Sequence, residues 1–377
     1  MKRLLVAGVA LRGGGYPNAE RTLAILADSG EWELRDHAHW LPPHVHLWRL
    51  ARGSLPQRIA LAFRLGVSGL LQALAAACRV RADEWVYLPY PAPLTLWWLS
   101  FCPARWRPRC IADAYISIWD SMFRDRRQGV KSQLSRMVHA FEQRSLRAAQ
   151  RVLVDTQANR QQMIEDFGLQ PERVVALPLA IDEQQFLAIP AKPCVGGARL
   201  RVIFVGTLVP LHGIEVVLDA VSELAGDDRF DFRLVGDGQL GAKVEAFIER
   251  KRPANFAWLR NWRSLEEVAN EIADADICLG VFAGGGKAAR VLPFKLYMYL
   301  ASGRAVITQV ALSMPGGVPA PPVCGIDPLV PGALAQALRK CAVNQDARDV
   351  RARDSRCYYL QWLANGCVAD AWRSLLP

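Results

Sequence analysis

The nine cysteines of this sequence form no CxxC pair, and none has a His at metal-ligand spacing. Neither a zinc site nor a disulfide framework is supported, and scattered thiols in a long chain act as small buried hydrophobes in a reducing compartment. The chain also lacks a good transmembrane helix. Ile59–Cys78 is apolar but carries Arg64, Gln72 and two glycines, and the uncharged stretch Trp85–Ala104 is broken by Pro89, Pro91, Pro93 and Pro103. Met1–Ala10 has a basic start and a short apolar run that stops at Arg12 with no convincing small-residue cleavage site, so it reads as a buried first strand rather than a signal peptide. No repeat or low-complexity tract interrupts the chain. Gly13-Gly14-Gly15, after the first strand, is not a GxGxxG, and no strand-ending acid stands in a clear position about 20 residues later, which leaves a nicotinamide or flavin site poorly supported.

What is present is length, apolar residues and positive charge. The 377 residues are 51% apolar, enough for two packed domains at roughly 100–200 residues each, and collagen-like or mainly disordered chains are excluded. Lys and Arg number 46 against 36 Asp and Glu, a net charge of +10, with a pI of about 9.3. The excess is uneven: residues 1–185 hold 24 basic and 17 acidic side chains (+7), the remainder 22 and 19 (+3). The basic half is rich in Trp. Such charge serves nucleic acid, an anionic membrane surface or phosphorylated ligands. Ile59–Cys78, flanked by Arg49, Arg52, Arg58, Arg79 and Arg81, is read either as a helix lying on a membrane surface or as a core helix of the first domain.

From Arg151 onward short apolar runs alternate with helix-compatible segments. Strands are predicted at 151–155, 174–177, 200–205, 230–235, 256–259, 277–281 and 305–308, with helices at 157–167, 213–225, 241–252, 265–273 and 294–301. The first half gives weaker strands near 3–7, 33–37, 85–88 and 109–112. This βα alternation predicts an α/β protein with parallel, doubly wound sheets. The expected organisation is a Rossmann-like domain over 1–189, a linker over 190–199, a second Rossmann-like domain over 200–348, and a helical segment over 349–377 crossing back to the first domain. Ligands of such sheets bind beyond the strand carboxyl ends, here in a cleft between the two domains.

Loops at those ends carry the candidate chemistry. Gly13-Gly14-Gly15 lets the backbone approach a phosphate or sugar oxygen, a bare turn being the alternative. Val205–Ile214 (VGTLVPLHGI) brings Gly206, Thr207 and His212 to the start of a helix. Gly236-Asp237-Gly238 is a tight turn. Val281–Lys295 (VFAGGGKAARVLPFK) places Lys287, Arg290 and Lys295 on a glycine-rich loop, a set suited to a diphosphate through charge-assisted hydrogen bonds, a solvated basic loop being the alternative. In the first domain Asp113 and Asp120, within DAYISIWDSMFRDR, are candidates to bind sugar hydroxyls or orient an attacking hydroxyl; the alternative is a helix cap at Asp113 and a surface pair of Asp125 with Arg126. His139 reads as structural, and His37, His39, His44 and His46 crowd a Trp-rich loop without a readable metal geometry.

The blocks FVGTLVPLHGI, LVGDGQ, ADICLGVF and KAARVLPFKLYMYLASGRAVIT, in that order, resemble the donor-binding domain of GT-B glycosyltransferases of the family 4 (group 1) type, and RVLVDTQANRQQM…FGL…RVVALPLAIDEQQF resembles the stretch before the interdomain linker in the same group. The resemblance implies two Rossmann-like domains and transfer of a hexosyl-type sugar from a nucleotide-sugar, which is a substrate and not a cofactor. It implies retention at the anomeric carbon, no obligatory metal and a role in polysaccharide or glycolipid synthesis. The diphosphate would lie against Gly206, Thr207, Lys287, Arg290 and Lys295, beside Gly14, Gly15, His212 and Gly236, and the nucleobase near Arg260–Trp262. Arg290, Lys295, Asp113 and Asp120 would carry catalysis. The sequence departs from the family where two Glu usually stand, here Arg290 and Met298, and where Arg and Lys often stand, here Thr207 and His212.

The acceptor implied is a saccharide or lipid-linked saccharide met by the first domain, with the protein cytoplasmic and peripheral on the inner face of the cytoplasmic membrane. A GT-B-like nucleotide-sugar epimerase and a non-catalytic nucleotide-sugar binder remain alternatives. Nucleic acid is not expected as a partner, since no recognisable binding motif accompanies the charge.

Overall fold

The computed structural model describes residues 1–13, 16–42, 54–124, 130, 132–192, 199–261 and 264–376. Contacts divide the chain into two units, Met1–Ala180 with Val368–Pro377, and Ile181–Cys367.

In the first unit, eight short apolar segments form strands: β1 Lys2–Val6, β2 Val9–Leu11, β3 Trp32–Asp36, β4 His39–Leu41, β5 Trp85–Leu88, β6 Cys110–Asp113, β7 Arg151–Val154 and β8 Val174–Ala176. Six make one parallel sheet in the order β3-β1-β5-β6-β7-β8, while β2 and β4 pair separately. Neighbours such as Leu4 and Leu5, or Ile111 and Ala112, are buried on opposite faces. A parallel sheet covered on both sides therefore needs continuous apolar runs rather than alternation. The 151–154 strand leads through Thr156, whose hydroxyl accepts from Asn159 N–H, into the helix Gln157–Phe167, which ends at Gly168 in the left-handed region.

The ambiguous apolar stretch is the 25-residue helix Leu55–Arg79. The core-helix reading holds for one of its faces. Leu65, Gly69, Ala73 and Ala76 are buried, and a Cβ on Gly69 would lie 2.4 Å from the Leu94 carbonyl oxygen, so the backbone of the helix Pro93–Leu99 crosses closely there. The outward face is apolar and exposed.

The second unit holds β9 Leu200–Val205, β10 Phe230–Val235, β11 Phe256–Leu259, β12 Ile277–Leu279, β13 Ala305–Gln309 and β14 Cys324–Ile326. They form one parallel sheet in the order β11-β10-β9-β12-β13-β14. Strand order reverses between β9 and β12, which opens a crevice beyond their carboxyl ends. Three strands were not anticipated: β2, β4 and β14 are three residues each, too short to show a period.

The chain end forms two helices, Gln345–Trp362 and Asn365–Leu375, the second reaching the first unit as expected. Trp372 is buried against the rings of Tyr87 and Trp32, at centroid distances of 5.0 and 6.3 Å, and Lys2 Nζ donates to the carbonyls of Arg373 and Leu376. Residues 181–189, assigned above to the end of the first domain, pack in the second unit instead. Glu183 Oε2 accepts from the Tyr359 hydroxyl and the Asn365 N–H, each at 2.8 Å, and Phe186 is fully buried.

Candidate active site

The site is assembled from the ends of β9, β10 and β12. After β9, the backbone turns at Gly206 (φ 146°) and runs through Pro210–His212 to Gly213 (φ 63°), where the helix Ile214–Glu223 begins. At Gly213 a Cβ would lie 2.3 Å from the carbonyl carbon of Phe282, so only glycine lets this loop pass against the end of β12. Phe282 N–H donates to the His212 carbonyl at 3.1 Å and locks the two loops together. Gly236 (φ 113°) closes the third side: a Cβ there would lie 2.4 Å from the Gly206 carbonyl oxygen.

Lys295 enters this junction from the helix Phe294–Ala301. Its side chain is buried, its Nζ lies 3.6 Å from the Phe204 ring centroid and 3.5 Å from the Gly280 carbonyl oxygen, and a Cβ on Gly206 would come within 3.0 Å of it. One turn on, the Tyr299 hydroxyl accepts the Val205 N–H at 3.0 Å. The i and i+4 positions of one helix thus clamp the last residues of β9. Among the described residues no carboxylate lies within ion-pairing distance of Lys295. Burial alone holds its pKa well below the ordinary lysine range. His212, whose Nδ1 bonds the Thr207 carbonyl, is pushed down to about 3 by burial and by the Lys295 charge, so it stays neutral and keeps Nδ1 as the donor.

The helix Lys287–Arg290 follows Gly284 and Gly286, both at positive φ, and packs on the Pro210–His212 turn, which brings Lys287 and Arg290 to the same loop as His212. Gly284 N–H is held by Gln309 Oε1 at 2.9 Å, and Thr308 Oγ1 pairs with Val281. Gly206, Thr207, His212, Gly236, Lys287, Arg290 and Lys295 therefore belong to one crevice. Arg260 is placed differently. It stands exposed after β11, paired with Asp237 at 2.8 Å and with Glu245, over the Trp258 ring. Two acids already hold its charge. Gly14, Gly15 and Trp262 lie outside the described residues, as do Asp125, Arg126, His44 and His46.

In the first unit Asp113 ends β6 with no exposure to solvent, and it is not a helix cap. Its carboxylate accepts from the hydroxyls of Tyr16 and Tyr87, the latter at 3.0 Å, and burial raises its pKa to about 6. Asp120, also buried, opens a π-helical turn over Asp120–Arg124 and pairs with Arg124 at 3.4 Å. Sequence reasoning missed Glu142. This buried carboxylate accepts the N–H groups of Ile118 and Trp119 at 2.9 and 2.8 Å and the Ser117 hydroxyl at 3.0 Å, and burial raises its pKa to about 7. It anchors the loop that carries Asp120. A Glu on the apolar face of the helix Gln133–Arg147 was the available signal.

No family model matches the chain. An uncharacterized glycosyltransferase of Methanocaldococcus jannaschii is 34% identical over 68 residues, 18% of each chain. An MMP alpha-(1->4)-mannosyltransferase of Mycolicibacterium hassiacum is 25% identical over 138 residues, 36% of this chain and 32% of that protein. The chain thus matches less than a third of the length of each of these relatives. Two solved structures match throughout: Anabaena HepE in complex with UDP, at 14% identity and a TM-score of 0.65 over 100% and 99% of the chains, and WaaG, a glycosyltransferase involved in lipopolysaccharide biosynthesis, at 15% and 0.62 over 99% of each. With its two parallel-sheet, Rossmann-like units, the chain has the GT-B fold of these glycosyltransferase structures.

Proposed function

We propose that this protein is a glycosyltransferase that moves a hexosyl group from a nucleoside diphosphate sugar to a saccharide or lipid-linked saccharide acceptor. The observation that carries the reading is Lys295: a buried lysine with no acidic partner among the described residues, at the crevice where β9 and β12 diverge. A buried cation is costly unless an anion completes it. A diphosphate would do so, with Lys287 and Arg290 on the adjoining helix and the Gly206–Gly213 backbone close enough for direct contact. The short similarities to glycosyltransferases and the HepE complex with UDP support the same class.

The reaction we propose is retaining and needs no obligatory metal. The acceptor oxygen bonds to the anomeric carbon on the face from which the diphosphate departs. The carbon–oxygen bond to phosphate breaks, and the acceptor proton passes to the departing phosphate oxygen. Lys295 and Arg290 stabilise the charge that grows on that group. In the first unit, Asp113 acts through the Tyr16 and Tyr87 hydroxyls it holds, and Asp120 through the loop anchored by Glu142. The protein would work in the cytoplasm.

A thermal-shift screen of nucleoside diphosphate sugars tests the donor. A ligand at 100-fold its dissociation constant adds about 2.7 kcal/mol to the folded state. A raised melting temperature that Lys295→Ala abolishes is the expected result; no shift with any nucleotide-sugar defeats the reading. Turnover of the donor without an acceptor would favour the epimerase alternative.

A further inference from the structure

The helix Leu55–Arg79 presents to solvent a row of large apolar side chains: Ile59, Phe63, Val67, Leu70, Leu71 and Leu74. Successive steps of four, four, three, one and three residues keep them on one face at 3.6 residues per turn, over about 22 Å. Phe63 is 71% exposed, Ile59 61% and Leu71 60%. A contiguous exposed apolar surface of this kind marks a contact with something else.

Two observations identify what that is. The first is charge. From Ser54 to Ala82 the sequence holds Arg58, Arg64, Arg79 and Arg81 and no Asp or Glu. Neither Arg58 nor Arg64 has an ion-pair partner among the described residues, and Arg64 borders the row. A second copy packed along the same row would bring arginines together with no acid on either helix to answer them. The second is anchorage. Pro56–Arg79 is long and apolar enough to cross a membrane by length and composition. Its inner face, however, is committed: Gly69 abuts the Leu94 carbonyl, Trp98 Nε1 donates to the Gly66 carbonyl at 3.0 Å, and Gln72 accepts the Gly8 N–H at 3.0 Å. A spanning orientation would tear these contacts from the first unit. A helix fixed on one face and apolar on the other lies in the plane of an interface, with its row sunk about 5–10 Å to the acyl boundary and its arginines at the phosphates.

We propose that the outward face of the helix Leu55–Arg79 docks the protein on an anionic lipid surface. The inference does not depend on the donor chemistry, since a chain that transfers no sugar would still bind lipid through this face.

Flotation of the full chain with vesicles of phosphatidylcholine containing phosphatidylglycerol, and with phosphatidylcholine alone, tests it. The protein is expected to float with the anionic vesicles, less with the neutral ones, and less again at raised salt. The double variant Phe63→Glu/Leu71→Glu should lose roughly tenfold or more in partitioning, and Arg58→Gln/Arg64→Gln should lose binding only to the anionic vesicles. The replaced side chains are exposed, so an unchanged melting temperature verifies folding, and Leu329→Glu, in the second unit, serves as a control that floats normally. The proposal is overturned if the chain stays at the bottom of the gradient with anionic vesicles, or if Phe63→Glu/Leu71→Glu floats like the parent. It is equally overturned if the parent elutes as a dimer that this double variant converts to monomer without any lipid binding.

Discussion

The ammonium of Lys295 lies 3.6 Å from the centroid of the Phe204 ring. The π face of Phe204 offsets part of the burial cost without donating a counter-charge, so the positive charge is held in place and left available to a ligand. A carboxylate in that position would have neutralised it.

Lys295→Met is therefore expected to stabilise the unliganded protein while destroying donor binding. A lysine with a depressed folded pKa opposes folding below its unfolded pKa near 10.5, and that opposition fades as pH rises between the two values. Replacement by an apolar side chain of similar length removes it, a gain of roughly 1 kcal/mol or more. Urea unfolding at pH 7 with and without nucleoside diphosphate reads both effects; a variant that is less stable and still binds contradicts the assignment.

Donor affinity should depend on pH in a defined direction. A diphosphate raises the depressed pKa of Lys295, so at a pH between the free and bound values binding takes up a proton and weakens with rising pH, by up to about tenfold per unit. Calorimetry in two buffers of different ionisation enthalpy measures the uptake. Lys295→Arg, which does not titrate in this range, should abolish the slope.

Gly213→Ala tests the crossing of the two loops. The residue has φ 63° and its Cβ would lie 2.3 Å from the Phe282 carbonyl carbon. Strain and overlap together should cost about 2–4 kcal/mol and displace His212 from the crevice. Gly226→Ala, with nothing within 4 Å, is the matched control and should be nearly neutral.

Glu142→Ala leaves the N–H groups of Ile118 and Trp119 without their acceptor, and a loss of about 2–6 kcal/mol is expected, since each orphaned donor costs roughly 1–3. Glu142→Gln keeps one acceptor oxygen and should lose less. Chemical denaturation of the two variants, side by side, ranks them.

Asp113 and Glu142 also set a pH dependence of stability. Their folded pKa values, about 6 and about 7, lie above the unfolded ones, so the protonated forms are favoured in the native state. Their contribution is complete below about pH 4 and is lost as pH rises through 6 and 7. The urea midpoint should rise from pH 8 to pH 5, and Glu142→Gln should flatten the upper part of that rise.

The second unit was far more legible than the first. Strands β9, β10 and β11 and the helix Phe294–Ala301 have the bounds that the sequence pattern predicted: β9 reads as an apolar run after Arg201, and β10 alternates Asp231 and Arg233 with buried apolar residues. Lys295 was legible as a cation on a glycine-rich loop, but its burial was not, because that depends on Phe204 and Tyr299 arriving from elsewhere. Glu142 and the tyrosines around Asp113 were invisible for the same reason. Tyr16, Tyr87 and Asp113 come from three separate stretches, and no spacing encodes their meeting.

Trp372 gives the last ten residues a role in assembling the first unit. A nascent chain that has left the ribosome with residues 1–180 still lacks the side chain that fills the space between Trp32 and Tyr87. The first unit cannot complete its packing until the whole second unit and the helix Asn365–Leu375 have been made. Its folding before that point is provisional.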